Sequence, residues 1–160
     1  MPRREAFHIP STKFEKDLLK GRLGEMVLQE HIRVGDEYID IADVRDDFRY
    51  RECDIDFLVE SRDKQWHRIE VKTDWQAHRT GNLVFETKTS GKIGCLEKTK
   101  ADIIFYFVAE SGTGYWIGAQ LLKRYAHSGE FELVKMGDRA EGYLIPLANI
   151  VSKKIGRKIM

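Results

Sequence analysis

Residues 53–73 read CDIDFLVESRDKQWHRIEVKT, and this stretch decides the fold. Apolar and polar residues alternate along 53–60 and again along 66–73, which is the pattern of two β-strands that each bury one face. The five residues between the two runs are polar and have the composition of a turn. The stretch therefore predicts a β-hairpin in which Glu60 pairs with Trp66.

The hairpin register brings charged side chains together. Counting inward from the turn places Asp56 opposite Glu70 and Asp54 opposite Lys72, with all four side chains on one face. Two carboxylates that face each other on a sheet repel, so fold stability alone does not favour this arrangement. A divalent cation between them turns the repulsion into a binding site, and oxygen ligands suit Mg²⁺ or Mn²⁺. Lys72 would orient or activate a water there, which predicts phosphodiester hydrolysis.

This arrangement resembles the signature of the PD-(D/E)XK (restriction-endonuclease-like) nuclease superfamily. The shared features are an acidic residue on a helix, an aspartate before an apolar run, a short hairpin and an apolar-flanked Glu-x-Lys, here within residues 69–72. The match extends over residues 21–109, and Ile55 stands where the signature has its proline. The resemblance implies an α/β fold with a central mixed β-sheet flanked by α-helices, and cleavage of DNA with Mg²⁺, for which Mn²⁺ would substitute.

The resemblance also implies a role for each site residue. Asp56 and Glu70 would bind the metal ion, and the backbone carbonyl of Val71 would be a further ligand. Lys72 would be the catalytic lysine. Glu25, at the margin of the apolar stripe of the preceding helix, would be the acidic residue that the helix contributes to the active site.

Two alternatives for the metal ligands stay open. Asp54 points to the same face as Asp56 and would replace it if the turn were a residue or two longer or shorter. Glu86, on the polar face of a predicted strand, is a further candidate ligand; Glu86-Thr-Lys88 is a second Glu-x-Lys and shows how easily the short motif arises. The rival interpretation of the whole set is a group of solvated cross-strand ion pairs, which contribute little to stability.

Before the hairpin, residues 11–33 have the periodicity of an amphipathic helix, which Ser11 or Thr12 would cap. Gly21 and Gly24 would let another backbone approach one side of this helix. The predicted apolar stripe consists of Leu18, Leu19, Leu23, Met26 and Val27.

Further elements are predicted downstream, and their order suggests a central mixed sheet with helices packed on it. The run 103–109 is apolar throughout, as in a strand covered on both faces. The other predicted elements are strands at 82–88, 131–136 and 143–150, a helix at 119–127 and a short basic tail at 152–160. The length of 160 residues suits a single nuclease domain, with a core at 11–127 and a C-terminal extension at 128–160.

Two loops, 74–81 and 88–100, flank the predicted site and form the candidate DNA-binding surface. They combine cations for phosphates, glycines for close backbone approach and an aromatic ring for stacking. The candidate nucleic-acid-binding residues are Trp75, Arg79, Lys88, Lys92, Lys98 and Lys100.

Composition excludes several other classes. The net charge is +1, so binding to nucleic acid would depend on local basic patches. There are two cysteines without a CxxC pair, which favours a reducing cytoplasm over a disulfide framework. The N-terminal MPRREAFHIP lacks the apolar region of a signal peptide, and no apolar run is long enough for a membrane span. The chain also has no P-loop, no histidine spacing for a metal and no nucleophile elbow.

These observations together predict an Mg²⁺-dependent DNA endonuclease. Its small size favours structure-specific or weakly sequence-specific cleavage, as in nucleases of the junction-resolvase, phage or repair type. A homodimer would fit, because resolvases of this superfamily are dimers that make paired nicks. The alternatives are a catalytically inactive nucleic-acid-binding or assembly protein on the same fold, and a site-specific restriction enzyme.

Overall fold

The computed structural model describes residues 12–160. The helices in this part of the chain are α1 (Lys13–Val34), α2 (Phe48–Arg51), α3 (Ala77–Thr80), α4 (Cys95–Lys98), α5 (Ala119–Ala126) and α6 (Leu147–Ser152). The strands are β1 (Tyr38–Asp43), β2 (Phe57–Ser61), β3 (Trp66–Asp74), β4 (Asn82–Thr89), β5 (Lys92–Ile93), β6 (Ile103–Val108), β7 (Thr113–Gly118), β8 (Val134–Met136), β9 (Ala140–Pro146) and β10 (Gly156–Lys158).

The strands form two sheets. The main sheet has six strands in the order β1-β2-β3-β6-β7-β10, in which β3 and β6 are parallel and the other neighbours are antiparallel. The second sheet, β5-β4-β9-β8, is antiparallel throughout. The prediction of an α/β fold with a central mixed sheet flanked by helices is confirmed. No helix within residues 12–160 has both the length and the apolar character that crossing a membrane requires.

Each face of the main sheet covers its own hydrophobic core, and β6 contributes to both. Phe105 and Phe107 pack on the α1 side, whereas Ile104 and Tyr106 pack on the side of the second sheet, α5 and α6. This two-sided burial explains why the run is apolar at every position, as predicted. The core on the α1 side contains Leu28, Ile32, Phe57, Val59, Ile69, Phe105, Phe107 and Trp116.

The β2–β3 hairpin has the predicted register, because Glu60 pairs with Trp66. The first strand is nevertheless shorter than predicted. It begins at Phe57, and residues 53–54 belong to a turn that follows α2. Asp54 has a φ of 52°, in the left-handed region that extended strands do not use. The prediction of a strand from residue 53 is therefore wrong in its first residues.

Helix α1 begins as predicted but buries a different face. Thr12 is its N-cap and forms a capping box with Glu15, and Ser11 lies outside the described residues. The buried positions Gly24, Leu28 and Ile32 are spaced four apart, where the helix contacts the main sheet. Leucine and methionine side chains of the predicted stripe are instead exposed, so the prediction is wrong at Leu18, Leu19 and Met26.

The C-terminal third departs most from the predictions. The strand predicted at 143–150 ends at Pro146, where α6 begins. The basic tail is not a free tail, because β10 pairs with β7 at the edge of the main sheet and Ile155 is buried. The helix predicted at 119–127 is present as α5. The strand predicted at 82–88 is present as β4, in the second sheet. The division into a core and an extension at residue 127 stays a prediction.

Gly24 marks the closest approach between α1 and β3. Its amide donates a hydrogen bond to Thr73 Oγ1 at 3.0 Å, and that hydroxyl donates to the carbonyl of Gly21 at 3.0 Å. A Cβ atom at Gly24 would lie 2.4 Å from Thr73 Oγ1 and 3.2 Å from Val71 Cγ1, whereas one at Gly21 would meet nothing within 4 Å. Gly24 thus allows a close approach by the side chains of Thr73 and Val71, whereas the approach of another backbone stays a prediction.

Alanine substitutions at the two glycines should therefore change stability in opposite directions. Gly24→Ala should lower the free energy of unfolding by about 1–3 kcal/mol, because the added methyl group forces α1 away from β3. Gly21→Ala should raise it by about 0.5–1 kcal/mol, because alanine favours the helix and the position is open. Urea denaturation of both variants measures this. Equal stability of the two variants would contradict the contact.

Candidate active site

Glu70 and Lys72 lie on the face of β3 that points away from α1. Ile69 and Val71 pack in the core beneath α1, and alternation along the strand turns their neighbours to the opposite side. Glu70 is 1% exposed, and the Lys72 Nζ atom lies 2.8 Å from its Oε1. The two residues thus form an ion pair, with Glu70 buried and the Lys72 side chain 31% exposed, on the strand that carries the Glu-x-Lys motif.

Asp56 reaches the same strand from the end of the hairpin. The regular ladder stops at Phe57 and Ile69, and the Asp56 amide then donates to the Ile69 carbonyl at 2.8 Å. Its Oδ2 accepts a hydrogen bond from the Val71 amide, also at 2.8 Å. Because the amide and the carbonyl of one strand residue point to the same edge, the Val71 carbonyl also points past the end of β2. Asp56 and that carbonyl therefore lie at one edge of β3.

The Glu70 carboxylate lacks the hydrogen bonds that a buried charge needs. Among the described residues, Oε2 has no hydrogen-bond partner, and Oε1 has only the Lys72 ammonium, which lies 2.8 Å away. Burial raises the pKa of Glu70, and the opposing effect of Lys72 does not cancel it. For Lys72, burial has the largest single effect and lowers the pKa, but the combined effects of Glu70, Cys95 and Asp56 outweigh it and leave the pKa raised. Glu70 is thus a buried acceptor with free lone pairs.

Asp56 is also held in an environment that disfavours its charge. Burial raises its pKa, and the hydrogen bond from Val71 and the charges of Lys72 and Arg45 only partly oppose this effect. Asp54 raises the pKa of Asp56 further and does the same to Glu70, so Asp54 lies within electrostatic reach of both carboxylates.

Asp54 reaches the site by a route that the hairpin pattern did not predict. It lies in the turn before β2, so its predicted position opposite Lys72 on a strand is wrong. Its carbonyl accepts a hydrogen bond from Thr99 Oγ1 at 3.2 Å, and its Oδ2 lies 3.5 Å from Lys98 Nζ. That oxygen is buried and has no hydrogen-bond partner within residues 12–160. Asp54 therefore stays an alternative ligand.

Glu25 approaches Asp56 from α1 and is bound by an arginine that sequence reasoning missed. Arg45, between β1 and α2, forms an ion pair with Glu25 and a second one with Asp43, 2.5 Å away. Its guanidinium also lies 5.1 Å from the ring centre of Phe57. Burial raises the pKa of Glu25, Arg45 opposes that effect, and the charge of Asp56 adds to it. No motif marks Arg45, because its position depends on the fold.

Glu86 faces the site from the second sheet. It lines, together with Lys72, Asp74, Cys95 and Tyr106, a cavity of about 200 Å³ between β3, β4 and α4. Its Oε2 accepts a hydrogen bond from Thr89 Oγ1 at 2.5 Å. Glu86 thus lies near Lys72, and its role as a metal ligand stays a prediction.

The donor set fits an ion that needs few protein ligands. No three histidine, cysteine, aspartate or glutamate side chains in residues 12–160 converge closely enough to hold a metal ion by themselves. Mg²⁺, however, keeps several waters and is usually bound by one or two carboxylates. Asp56, the Val71 carbonyl and the orphaned Glu70 carboxylate match that requirement.

The candidate DNA-binding residues are spread over the surface around the site. Lys98 contacts Asp54, and Lys88 lies 3.7 Å from Glu141 on the second sheet. Trp75 packs beside α1, where its indole nitrogen donates to the Lys20 carbonyl at 3.4 Å. The remaining members are exposed: Arg79, Lys92 and Lys100.

The similarity of this chain to known proteins is low. No protein-family model matches the sequence, and no curated protein is significantly similar to it. Among solved structures, the chain is similar to a nuclease from a fusselovirus, with 13% identity, a TM-score of 0.41 and 94% of each chain covered. The low identity and TM-score are insufficient to assign a function to this chain.

Asp56→Asn should stabilise the metal-free protein at neutral pH, by about 0.2–1 kcal/mol, the size of a repulsion between like charges on neighbouring strands. The amide removes the buried charge, and its oxygen can still accept the Val71 hydrogen bond. The raised pKa of Asp56 means that the folded protein binds this proton more tightly than the unfolded chain does. Stability therefore falls as the pH rises from the ordinary value of 3.8 through the raised one.

Urea denaturation in EDTA across this pH range tests the sign. The advantage of Asp56→Asn should be absent near the ordinary pKa and complete at neutral pH. Asp63→Asn, in the hairpin turn, is the control, because a hydrogen bond from Ser61 lowers the pKa of Asp63 and the variant should gain nothing. An Asp56→Asn variant that is less stable than wild type at neutral pH would refute the expectation.

Proposed function

We propose that this protein is an Mg²⁺-dependent DNA endonuclease of the PD-(D/E)XK (restriction-endonuclease-like) type. It would hydrolyse phosphodiester bonds in a structure-specific or weakly sequence-specific way, in the manner of junction-resolvase, phage or repair nucleases. The observation that carries the proposal is the Glu70 carboxylate, which is buried and, among the described residues, is paired only with Lys72.

This carboxylate is hard to explain by stability alone. A buried charge costs several kcal/mol unless it is paired and hydrogen-bonded. Lys72 offsets part of that cost, yet the remaining lone pairs of Glu70 have no donor among the described residues. A cation next to Glu70 and Asp56 would supply the missing partner. Sites that sacrifice stability in this way are commonly functional.

Each group of the proposed site would have its own role. Asp56, Glu70 and the Val71 carbonyl would hold Mg²⁺, with Asp54 and Glu86 as alternative ligands. When bound there, Mg²⁺ would polarise the phosphate and help to neutralise negative charge in the transition state. The Lys72 ammonium has three donors and no acceptor, so it can orient a water or a phosphate oxygen above β3.

Glu25 would act at the margin of this site, held by Arg45. Because the ion pair fixes its carboxylate near Asp56, Glu25 can accept a hydrogen bond from a water bound between the two. DNA is the proposed partner. The free thiols of Cys53 and Cys95 suit the proposed cytoplasmic setting, and a homodimer stays a prediction.

The second candidate is an inactive nucleic-acid-binding or assembly protein on the same fold. It is favoured by the close Lys72–Glu70 pair, which already gives the lysine a partner without any metal ion. A site-specific restriction enzyme is distinguished by its products, because it would cut a long duplex into discrete bands.

Lys72→Ala should abolish nicking of supercoiled plasmid, with a loss of about 100-fold or more, because it removes a charged donor at the reacting phosphate. Nicking by the wild type should require Mg²⁺ or Mn²⁺ and stop in EDTA. Lys16→Ala, at an exposed position on α1, is the matched control and should cut like the wild type. Turnover of Lys72→Ala within a few-fold of wild type would show that Lys72 is only a surface charge.

Mg²⁺ should raise the melting temperature of the wild type but not that of Asp56→Asn. A ligand that binds only the folded state stabilises it by mass action, by about 2.7 kcal/mol at 100 times its Kd. Thermal unfolding of both proteins in EDTA and in excess Mg²⁺ measures this difference. If Mg²⁺ shifts neither protein, the carboxylates do not form a metal site and the inactive protein becomes the better interpretation.

A further inference from the structure

The cavity beside Lys72 continues into a larger one. The second cavity has a volume of about 670 Å³ and shares Thr73, Asp74, Val84 and Glu86 with the first. The two form one trough, which runs from Lys72 along the end of β3 and across the open face of the second sheet to Leu144. Its volume lies within the range of small-molecule sites.

The lining of the trough beyond Lys72 is unsuited to a phosphate backbone. No lysine or arginine among residues 12–160 lines the larger cavity, whereas proteins contact phosphates largely through such cations. Its walls instead combine apolar surface with neutral amide and hydroxyl groups and with the carboxylates of Asp74 and Glu86. The apolar members are Trp75, Val84, Met136 and Leu144, and the neutral polar members are Gln76, Thr80 and Asn82.

This combination matches a nucleobase. A base presents a flat face that stacks on aromatic and apolar side chains, and an edge of donors and acceptors that amides and hydroxyls can pair with. The Glu86 carboxylate, at the boundary of the two cavities, can accept a hydrogen bond from an exocyclic amino group.

Trp75 is held in position before any ligand binds. Its indole nitrogen donates to the Lys20 carbonyl, and the Lys20 ammonium lies 5.7 Å from the ring centre. A side chain that is fixed in this way loses little conformational entropy when a base stacks on it.

We propose that the trough binds unpaired bases next to the scissile phosphate, so that the substrate is DNA with a single-stranded segment at the cut, such as a fork or a flap. This inference rests on the proposed nuclease function, because it takes Lys72 to lie at the phosphate. In a duplex, the faces and pairing edges of the bases are occupied by their neighbours, so only an unpaired strand can enter.

Binding in EDTA separates this inference from catalysis. The probes are a short single strand that carries 2-aminopurine and the same sequence as a duplex, and anisotropy gives both affinities. Trp75→Ala and Leu144→Asp should weaken single-strand binding by roughly 5- to 150-fold, the range of one base–aromatic stack. Duplex binding should change less than about 2-fold by the same reasoning. The 2-aminopurine fluorescence should be quenched by the wild type and not by Trp75→Ala.

Two matched variants control for a general loss of structure. Trp66→Ala removes a tryptophan at the opposite end of β3, and Leu121→Asp changes a leucine on α5 that is 42% exposed, as Leu144 is. Both should bind the single strand like the wild type. Equal losses on single strand and duplex, equal losses in the controls, or no loss at all would each overturn the inference.

Cleavage of a forked duplex tells the two proposals apart. Forked DNA that the wild type, Trp75→Ala and Leu144→Asp cut at the same position and rate would refute the trough and leave the nuclease intact. Selective single-strand binding by a wild type that cuts nothing with Mg²⁺ would refute the nuclease and leave the trough intact.

Discussion

The structure depends on the period-two alternation of one strand, β3. Its odd-numbered residues, Ile69 and Val71 among them, pack in the core beneath α1, and Thr73 binds the backbone of that helix. Because the strand also pairs with β2 on one side and β6 on the other, it can neither rotate nor shift. The even-numbered residues are therefore committed to the opposite face. Glu70 is buried there, and Lys72 is half-buried, as a consequence of packing elsewhere.

The orientation of these residues toward a covered face determines the electrostatics of the site. A glutamate on an exposed sheet face would be solvated, but this one lies between the main sheet and the elements that cover it and is 1% exposed. Among the described residues, the cation that pairs with this charge is Lys72, and the carboxylate of Asp54 lies within electrostatic reach. Burial and the neighbouring negative charge both raise the pKa of Glu70, so the site contains a buried acceptor that lacks donors. A rigid scaffold is what keeps this arrangement from relaxing.

The sequence predicts those features that follow from local pattern. The hairpin register follows from a turn of polar residues between two alternating runs, and the apolar run of β6 follows from burial on both faces. The same count places Asp56 beside β3, where its carboxylate accepts the Val71 amide. The capping of α1 is equally local, because Thr12 and Glu15 are three residues apart.

Features that depend on contacts between residues far apart in the chain cannot be predicted from local pattern. Helix α1 buries the face that contains Gly24 because the side chains of Thr73 and Val71 approach there, although the leucine-rich face has the stronger hydrophobic signal. Asp54 leaves the strand with a positive φ, which alternation does not reveal. Strand β10 is short and polar, and its pairing with β7 joins residues far apart in the chain. Arg45 reaches Glu25 only once β1 and α1 are assembled.

Asp74 connects β3 to the neighbouring strand and to the start of α3. It follows Glu70 and Lys72 on the same face of the strand, and its Oδ2 accepts a hydrogen bond from Tyr106 of the neighbouring strand. Its Oδ1 accepts the amides of Gln76 and Ala77, at 2.7 and 2.8 Å, and so fixes the start of α3. The segment that carries Trp75 is therefore held from both ends by β3 and α3. One strand thus fixes the buried carboxylate, the lysine beside it and the wall of the adjoining trough, which places any group bound in that trough at a constant distance from Lys72.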